Sequence, residues 1–245
     1  MKTSNKLLLT AVLVLLISLA LYDTALRAEY RKGTFRDPFK DFVTLNYQDF
    51  NAVDLPAASQ ASVRIEAGPY RVRVYKPLNE FLQASQHGKQ LTLALRFPKD
   101  DRSFLNASQP AIVISCPTLA ALRTNARYLV EGQLKINHKV SGWNPQQVQV
   151  QGFQQDSLLV QADNGSQVEL LRNTLTSLRV AAGQHDPAGA PMLRLQADNH
   201  IQHASLTMRA KSNLLLNAQI QDLRYQFSDS ATATMPGRML SRMNK

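Results

Sequence analysis

The stretch LLVQADNGSQVEL, Leu158 to Leu170, decides how the rest of the chain is read. It opens with apolar residues at every second position, Leu158, Val160 and Ala162, and breaks on Asp163-Asn164-Gly165. Period-two alternation marks a strand with one buried face, and Asp, Asn and Gly are the residues of turns. The same Gln-Ala-Asp-Asn phrase returns 35 residues later in MLRLQADNHIQHASL, 192–206, again after alternating leucines. Aligned this way the second half holds five triplets: Leu158-Val160-Ala162, Leu178-Val180-Ala182, Leu193-Leu195-Ala197, Leu206-Met208-Ala210 and Leu223-Tyr225-Phe227. They start 20, 15, 13 and 17 residues apart, and small or polar turn formers follow each. One strand-and-turn unit used repeatedly predicts an all-β fold, a single-stranded β-solenoid with its apolar side chains turned inward. A β-sandwich is the alternative architecture for short strands at such spacing.

The first half carries the same texture. SVRIEAG and YRVRVYK alternate on either side of Gly68-Pro69 and read as two strands joined by a tight turn. KQLTLALRF, AIVISC at 111–116, QLKINHKV at 133–140 and QVQV at 147–150 are further strands, and NEFLQAS at 79–85 is expected to form a short helix. FNAVDLPAASQASVRIEAGPYRVRVYK, 50–76, followed by LTLALRF and IVISCPTLAALRTNARYLVEG, resembles the auto-transporter adhesin head, or GIN, domain family of bacterial cell-envelope proteins. The resemblance spans about Phe50 to Pro236. It implies a β-solenoid and an adhesin-like role, and brings no catalytic residues with it.

MKTSNKLLLTAVLVLLISLALY, 1–22, sets the expected location. Lys2 and Lys6 precede an uncharged, mostly apolar run from Leu7 through Leu16 to Tyr22. As a helix this run spans about 24 Å, and extension to Leu26 with Asp23 at the interface completes a membrane crossing. Residues 1–26 therefore read as a signal anchor or a signal peptide, with Leu7, Leu16 and Tyr22 as anchor residues. The small residues Ser18 and Ala20 lie inside the apolar run rather than after it, which favours the anchor. Residues 27–48 read as a juxtamembrane linker, 49–235 as the solenoid and 236–245 as a basic tail. This organisation implies a single pass through a bacterial inner membrane, with the C-terminal domain in the periplasm or outside.

Lys and Arg number 28 against 18 Asp and Glu, a net charge of +10. Such a surplus favours anionic surroundings, so the expected partners are the membrane and an anionic glycan or an envelope protein. No Lys/Arg-rich run accompanies it, which argues against nucleic acid. Cys116, the one cysteine, sits in an apolar run and reads as a buried inert thiol. His200 and His203 are the metal candidates, but a strand would point them to opposite sides and no acidic cluster completes a ligand set. His87, His138 and His185 read as surface residues. Asp163 and Asp198 read as Asx turns capping local backbone N–H groups rather than a glycosidase acid pair. Trp143, in SGWNPQQ, is the residue suited to stack on a sugar ring. No catalytic residue, cofactor or metal is expected. The function expected is a non-catalytic structural or adhesin-like binding module, with a polysaccharide-active enzyme or an envelope transport or assembly accessory as alternatives.

Overall fold

A computed structural model describes residues 3–33, 37–99, 110–140 and 146–237, which fall into two units. The first unit is built on helix α1 (Thr3–Lys32). Its apolar side chains are exposed all round, Leu7, Leu16 and Tyr22 among them, and it is long and apolar enough to cross a membrane. An ion pair between Asp23 and Arg27, 3.0 Å apart and one turn on, follows the apolar run. The helix continues to Lys32, six residues past Leu26.

The second unit is predominantly β-sheet. β1 (Phe42–Leu45), β2 (Ala52–Leu55), β3 (Val63–Ala67) and β4 (Arg71–Tyr75) lead into a one-turn helix, α2 (Lys76–Asn79). Pro77 in that turn gives up no hydrogen bond, because the N–H groups of a first turn have no helical acceptor. β5 (Leu82–His87), β6 (Gln90–Phe97), β7 (Ile112–Cys116), β8 (Ala121–Thr124), β9 (Arg127–Val130) and β10 (Gln133–Ile136) follow. Short and long strands then alternate: β11 (Val148–Gln151), β12 (Gln154–Ala162), β13 (Gln167–Leu171), β14 (Thr174–Ala182) and β15 (Met192–Leu195). The series ends with β16 (His200–Met208), β17 (Asn213–Leu216), β18 (Gln219–Phe227) and β19 (Thr232–Thr234).

These strands make two sheets. One runs β1-β4-β7-β3-β11-β13-β15-β17-β19, and the other β10-β9-β6-β2-β8-β12-β14-β16-β18, with β5 on β6. From β11 onward each strand lies in the sheet opposite to the strand before it and pairs in parallel with the strand two places on. Inward columns of apolar side chains run across both sheets: Ile65, Val150, Leu170, Leu195 and Leu216 in one, Val53, Leu122, Val160, Val180 and Leu206 in the other. All are essentially buried in one core, where each large side chain contributes about 1.5–3 kcal/mol.

Two turns join the sheets, and buried asparagines hold one of them. Asn173 and Asn199 stand just before β14 and β16, at the position Phe153 occupies before β12. Asn173 Oδ1 accepts Phe153 N–H at 3.1 Å, and its Nδ2 donates to Val150 O and Asn199 Oδ1. Asn199 Nδ2 donates to Leu170 O and Gln196 O. The amides thereby satisfy backbone groups that the turn takes out of the sheet ladders.

Several expectations change. The strands flanking Gly68-Pro69 do not pair with each other. β7 lies between them, parallel to β3 and antiparallel to β4, and its mostly apolar run IVISC is buried throughout, as a central strand covered on both faces is. Residues 82–87 are strand β5, alternating half-buried and exposed, and only the turn before them is helical. A strand, β1, stands within the stretch read as a linker. The true register aligns Ala204-Leu206-Met208 with Leu178-Val180-Ala182, while Ala210 sits in a turn at φ +50°. Leu193-Leu195 belongs to the other sheet, so the two Gln-Ala-Asp-Asn copies are different turns. The first leaves β12 and the second enters β16.

Candidate functional site

The long strands share a local irregularity. Simple alternation would put every second residue inside, yet Asp156 and Ser157 both face outward, as do Gln202 with His203 and Gln221 with Asp222. Thr176 is exposed and Ser177 half-buried at the corresponding place on β14. Residues Asp156, Thr176, Gln202 and Gln221 are also skipped in the pairing register of all three strand pairs. Each long strand therefore bends at one common corner. Its residues before the bend form a short third face.

That face carries a trough of about 500 Å³. One wall is the column Gln154, Thr174, His200 and Gln219, in register across four strands. The other is Asp156, Thr176, Gln202 and Gln221. Between them the inward column Leu175, Ile201 and Ile220 anchors the strands to the core. Gln155 takes that place on β12, where its side chain accepts Leu119 N–H at 3.0 Å and donates to Leu119 O at 2.6 Å. With strands about 4.8 Å apart, the trough crosses roughly 14 Å. Its walls present amides and hydroxyls, one carboxylate and one imidazole. No Lys or Arg is among the residues that line it.

Beside the trough, Ser177, His203 and Asp222 stand opposite one another on β14, β16 and β18. His203 Nδ1 lies 3.3 Å from Asp222 Oδ2, which gives the order hydroxyl, imidazole, carboxylate. Acyl transfer also needs donors for an oxyanion and a water-poor setting. Here β14 and β16 are paired along both edges except at the skipped residues Thr176 and Gln202, which leaves few backbone N–H groups to serve as donors. The His203 and Asp222 side chains are 59% and 49% exposed.

The remaining candidates resolve as follows. The bend makes His200 and His203 both face outward, contrary to the simple strand expectation. No group of three or more His, Cys, Asp or Glu side chains suited to a metal exists among the described residues. Asp163 is buried and does not cap its own turn. Its Oδ1 accepts Gln184 N–H and His185 N–H in the following turn, and Oδ2 lies 2.7 Å from His185 Nδ1. His138 lies 3.2 Å from Asp186, so two of the three histidines read as plain surface residues hold aspartates together with the loop 183–191. Asp198 is exposed, and the side chain of Asn199 makes the turn bond instead. Cys116 is buried, and burial pushes its thiol up to about 12. Trp143 and the basic tail from Arg238 lie outside the described residues.

The trough was missed in the sequence, although a signal for it exists. Apolar-polar-polar-apolar recurs as Leu175-Thr176-Ser177-Leu178, Ile201-Gln202-His203-Ala204 and Ile220-Gln221-Asp222-Leu223. Gln155 hides the first instance.

No family model matches the chain, and no curated protein does. Solved structures are similar to it. A "putative adhesin" of Bacteroides fragilis shares 18% identity at a TM-score of 0.42, over 81% of this chain and 99% of that one. A "putative lipid binding protein" of Parabacteroides distasonis shares 12% at 0.28, over 80% and 96%. A "putative adhesin" of the same species shares 13% at 0.27, over 80% and 92%.

Proposed function

We propose that the chain is a membrane-anchored, extracytoplasmic β-solenoid that serves a bacterial envelope as a non-catalytic, adhesin-like binding module akin to the GIN domain family. The trough carries this reading: two columns of outward polar side chains repeat at strand spacing across four parallel strands. Such a surface recognises a ligand by many equal hydrogen bonds and has no group singled out for chemistry. The solenoid part rests on the alternation of β11 to β19 between the sheets with all-parallel pairing. Two sheets over one core also suit the sandwich alternative, but a sandwich is built mostly from antiparallel hairpins. The anchor part rests on the exposed apolar length of α1, which runs on to Lys32, and the β domain takes in β1 from the stretch 27–48. Trp143 keeps its proposed role as a ligand contact.

The test is binding of the full-length protein in detergent to an array of neutral and acidic glycans, with pull-down of envelope proteins in parallel. Reproducible capture of one ligand class is expected. Failure to retain any glycan or envelope protein above an unrelated membrane-anchored control would refute the reading.

The row Ser177-His203-Asp222 supports one other reading, hydrolysis of an ester through Ser177. A fluorophosphonate probe decides between them. The binding-module reading expects no label on Ser177, whereas stoichiometric labelling lost in His203→Ala would establish the hydrolase.

A further inference from the structure

We propose that the trough takes an uncharged, hydroxyl-rich glycan chain laid across the coils, along the direction in which they stack. This inference rests on the binding-module reading and names its ligand. Three observations carry it. Six of the eight wall residues are glutamines or threonines, whose amides and hydroxyls donate and accept at once, with Asp156 and His200 as the exceptions. Vicinal sugar hydroxyls, which also do both, are the groups that such walls satisfy. Charge is the second. The arginines of this sheet stand elsewhere, Arg179 and Arg224 sharing a column three positions beyond the trough wall and Arg123 further still. Inside the trough an anionic chain would meet the Asp156 carboxylate without a guanidinium to offset it.

The third observation is edge geometry. Across the middle of the trough β14 and β16 are each paired on both sides, so an extended peptide can join by backbone hydrogen bonds only at its two ends, beside residues 154–156 of β12 or along β18. A glycan needs no strand edge. In an extended β-1,4-linked chain the pyranose units advance by close to one strand spacing, about 4.8 Å, so successive units meet successive strands. The trough crosses β12, β14, β16 and β18, which makes four equivalent steps.

The experiment is calorimetric titration of the full-length protein in detergent. Four neutral oligosaccharide series serve as probes, β-1,4- and β-1,3-glucans, α-1,4-glucans and N-acetylated chitin fragments, with oligogalacturonates of equal length as the acidic comparison. Affinity for one neutral series is expected to rise with chain length to about four units and level off beyond, when the trough is full. Thr176→Val with Gln202→Ala removes two hydrogen-bonding groups and is expected to weaken binding about tenfold. Both side chains are exposed, so the variant's thermal melt is expected to overlie that of the parent. Gln154→Ala, on the opposite wall, provides an independent reading.

Preference for the acidic series, unchanged in these variants but lost in Arg179→Ala, would overturn the trough assignment and leave the binding module standing. Absence of binding to all four neutral series would also overturn it, and the array described above then decides whether a binding module remains. Binding that keeps its strength when both walls are altered would place the ligand elsewhere and refute the inference.

Discussion

Replacing Asn173 with alanine removes a side chain that ties together the segments leading into β12, β14 and β16. Its Oδ1 accepts Phe153 N–H at 3.1 Å, and Nδ2 reaches Val150 O at 2.9 Å and Asn199 Oδ1 at 3.0 Å. Asn173 and Asn199 are buried, so no water replaces these partners. Phe153 N–H would be stranded at a cost of about 1–3 kcal/mol. Val150 O and Asn199 Oδ1 each lose one bond, for about 1 kcal/mol apiece. The expected loss is therefore about 3–5 kcal/mol. In a β unit of this size, 1 kcal/mol moves the midpoint by about 2–4 °C, so Tm is expected to fall by about 10 °C. Urea and thermal unfolding of the full-length protein, followed by circular dichroism, provide the measurement. Gln226→Ala, on the exposed face of β18, serves as the control and is expected to stay within about 0.5 kcal/mol. A double variant with Asn199→Ala should fall short of additivity by at least about 0.5 kcal/mol, since the two amides share a bond. A loss below about 1 kcal/mol from Asn173→Ala would refute the corner as a structural tie.

Gly165→Ala is expected to destabilise by more than about 3 kcal/mol in the same assay, because a Cβ there would lie 2.7 Å from Asn137 O and closer still to Lys139 O. Gly237→Ala, with nothing near its Cβ, should be neutral. Cys116, pushed up to about 12 by burial, should resist alkylation at pH 8 until the protein unfolds, and reaction of the native form would contradict its placement. Burial raises the Asp54 carboxyl above its ordinary 3.8, with Arg123 opposing the shift only in part. The folded state then binds the extra proton between 3.8 and the raised value, so this group's contribution to stability falls as pH rises through that window. Asp54→Asn should accordingly raise Tm at pH 7 and lose its advantage as pH drops below 3.8; an advantage that grew toward acid would reverse the sign.

Much of the fold lies open in the sequence because period-two alternation is local. The inward columns through Leu158, Leu178 and Leu223 can be picked out by eye, and so can Val63-Ile65 and Leu91-Leu93-Leu95. What escapes is the partner of each strand. β13 and β17 are short runs, QVELL and NLLL, lodged between turns, and without them each repeat looks like one strand and one turn instead of two of each. The repeated Gln-Ala-Asp-Asn then seems to mark equivalent positions, although Asp163 is buried against the next turn and Asp198 is exposed. Identical local chemistry fits either turn, because both need a residue that leaves a strand and satisfies a backbone group.

The bend is hidden for a different reason. Two outward neighbours look like an ordinary polar pair until the register stacks them, and only stacking turns isolated glutamines and threonines into two facing walls. A side chain that contributes little alone gains its effect through repetition at a fixed spacing. The same logic separates the trough from the row Ser177-His203-Asp222, which occurs once and lacks the sheltered, donor-rich setting that acyl transfer requires. Repetition favours recognition of a repeating partner. For this reason the length dependence of glycan binding, more than the affinity for any one sugar, distinguishes a trough that works as a unit from polar residues that share a face only because the strands pair in register.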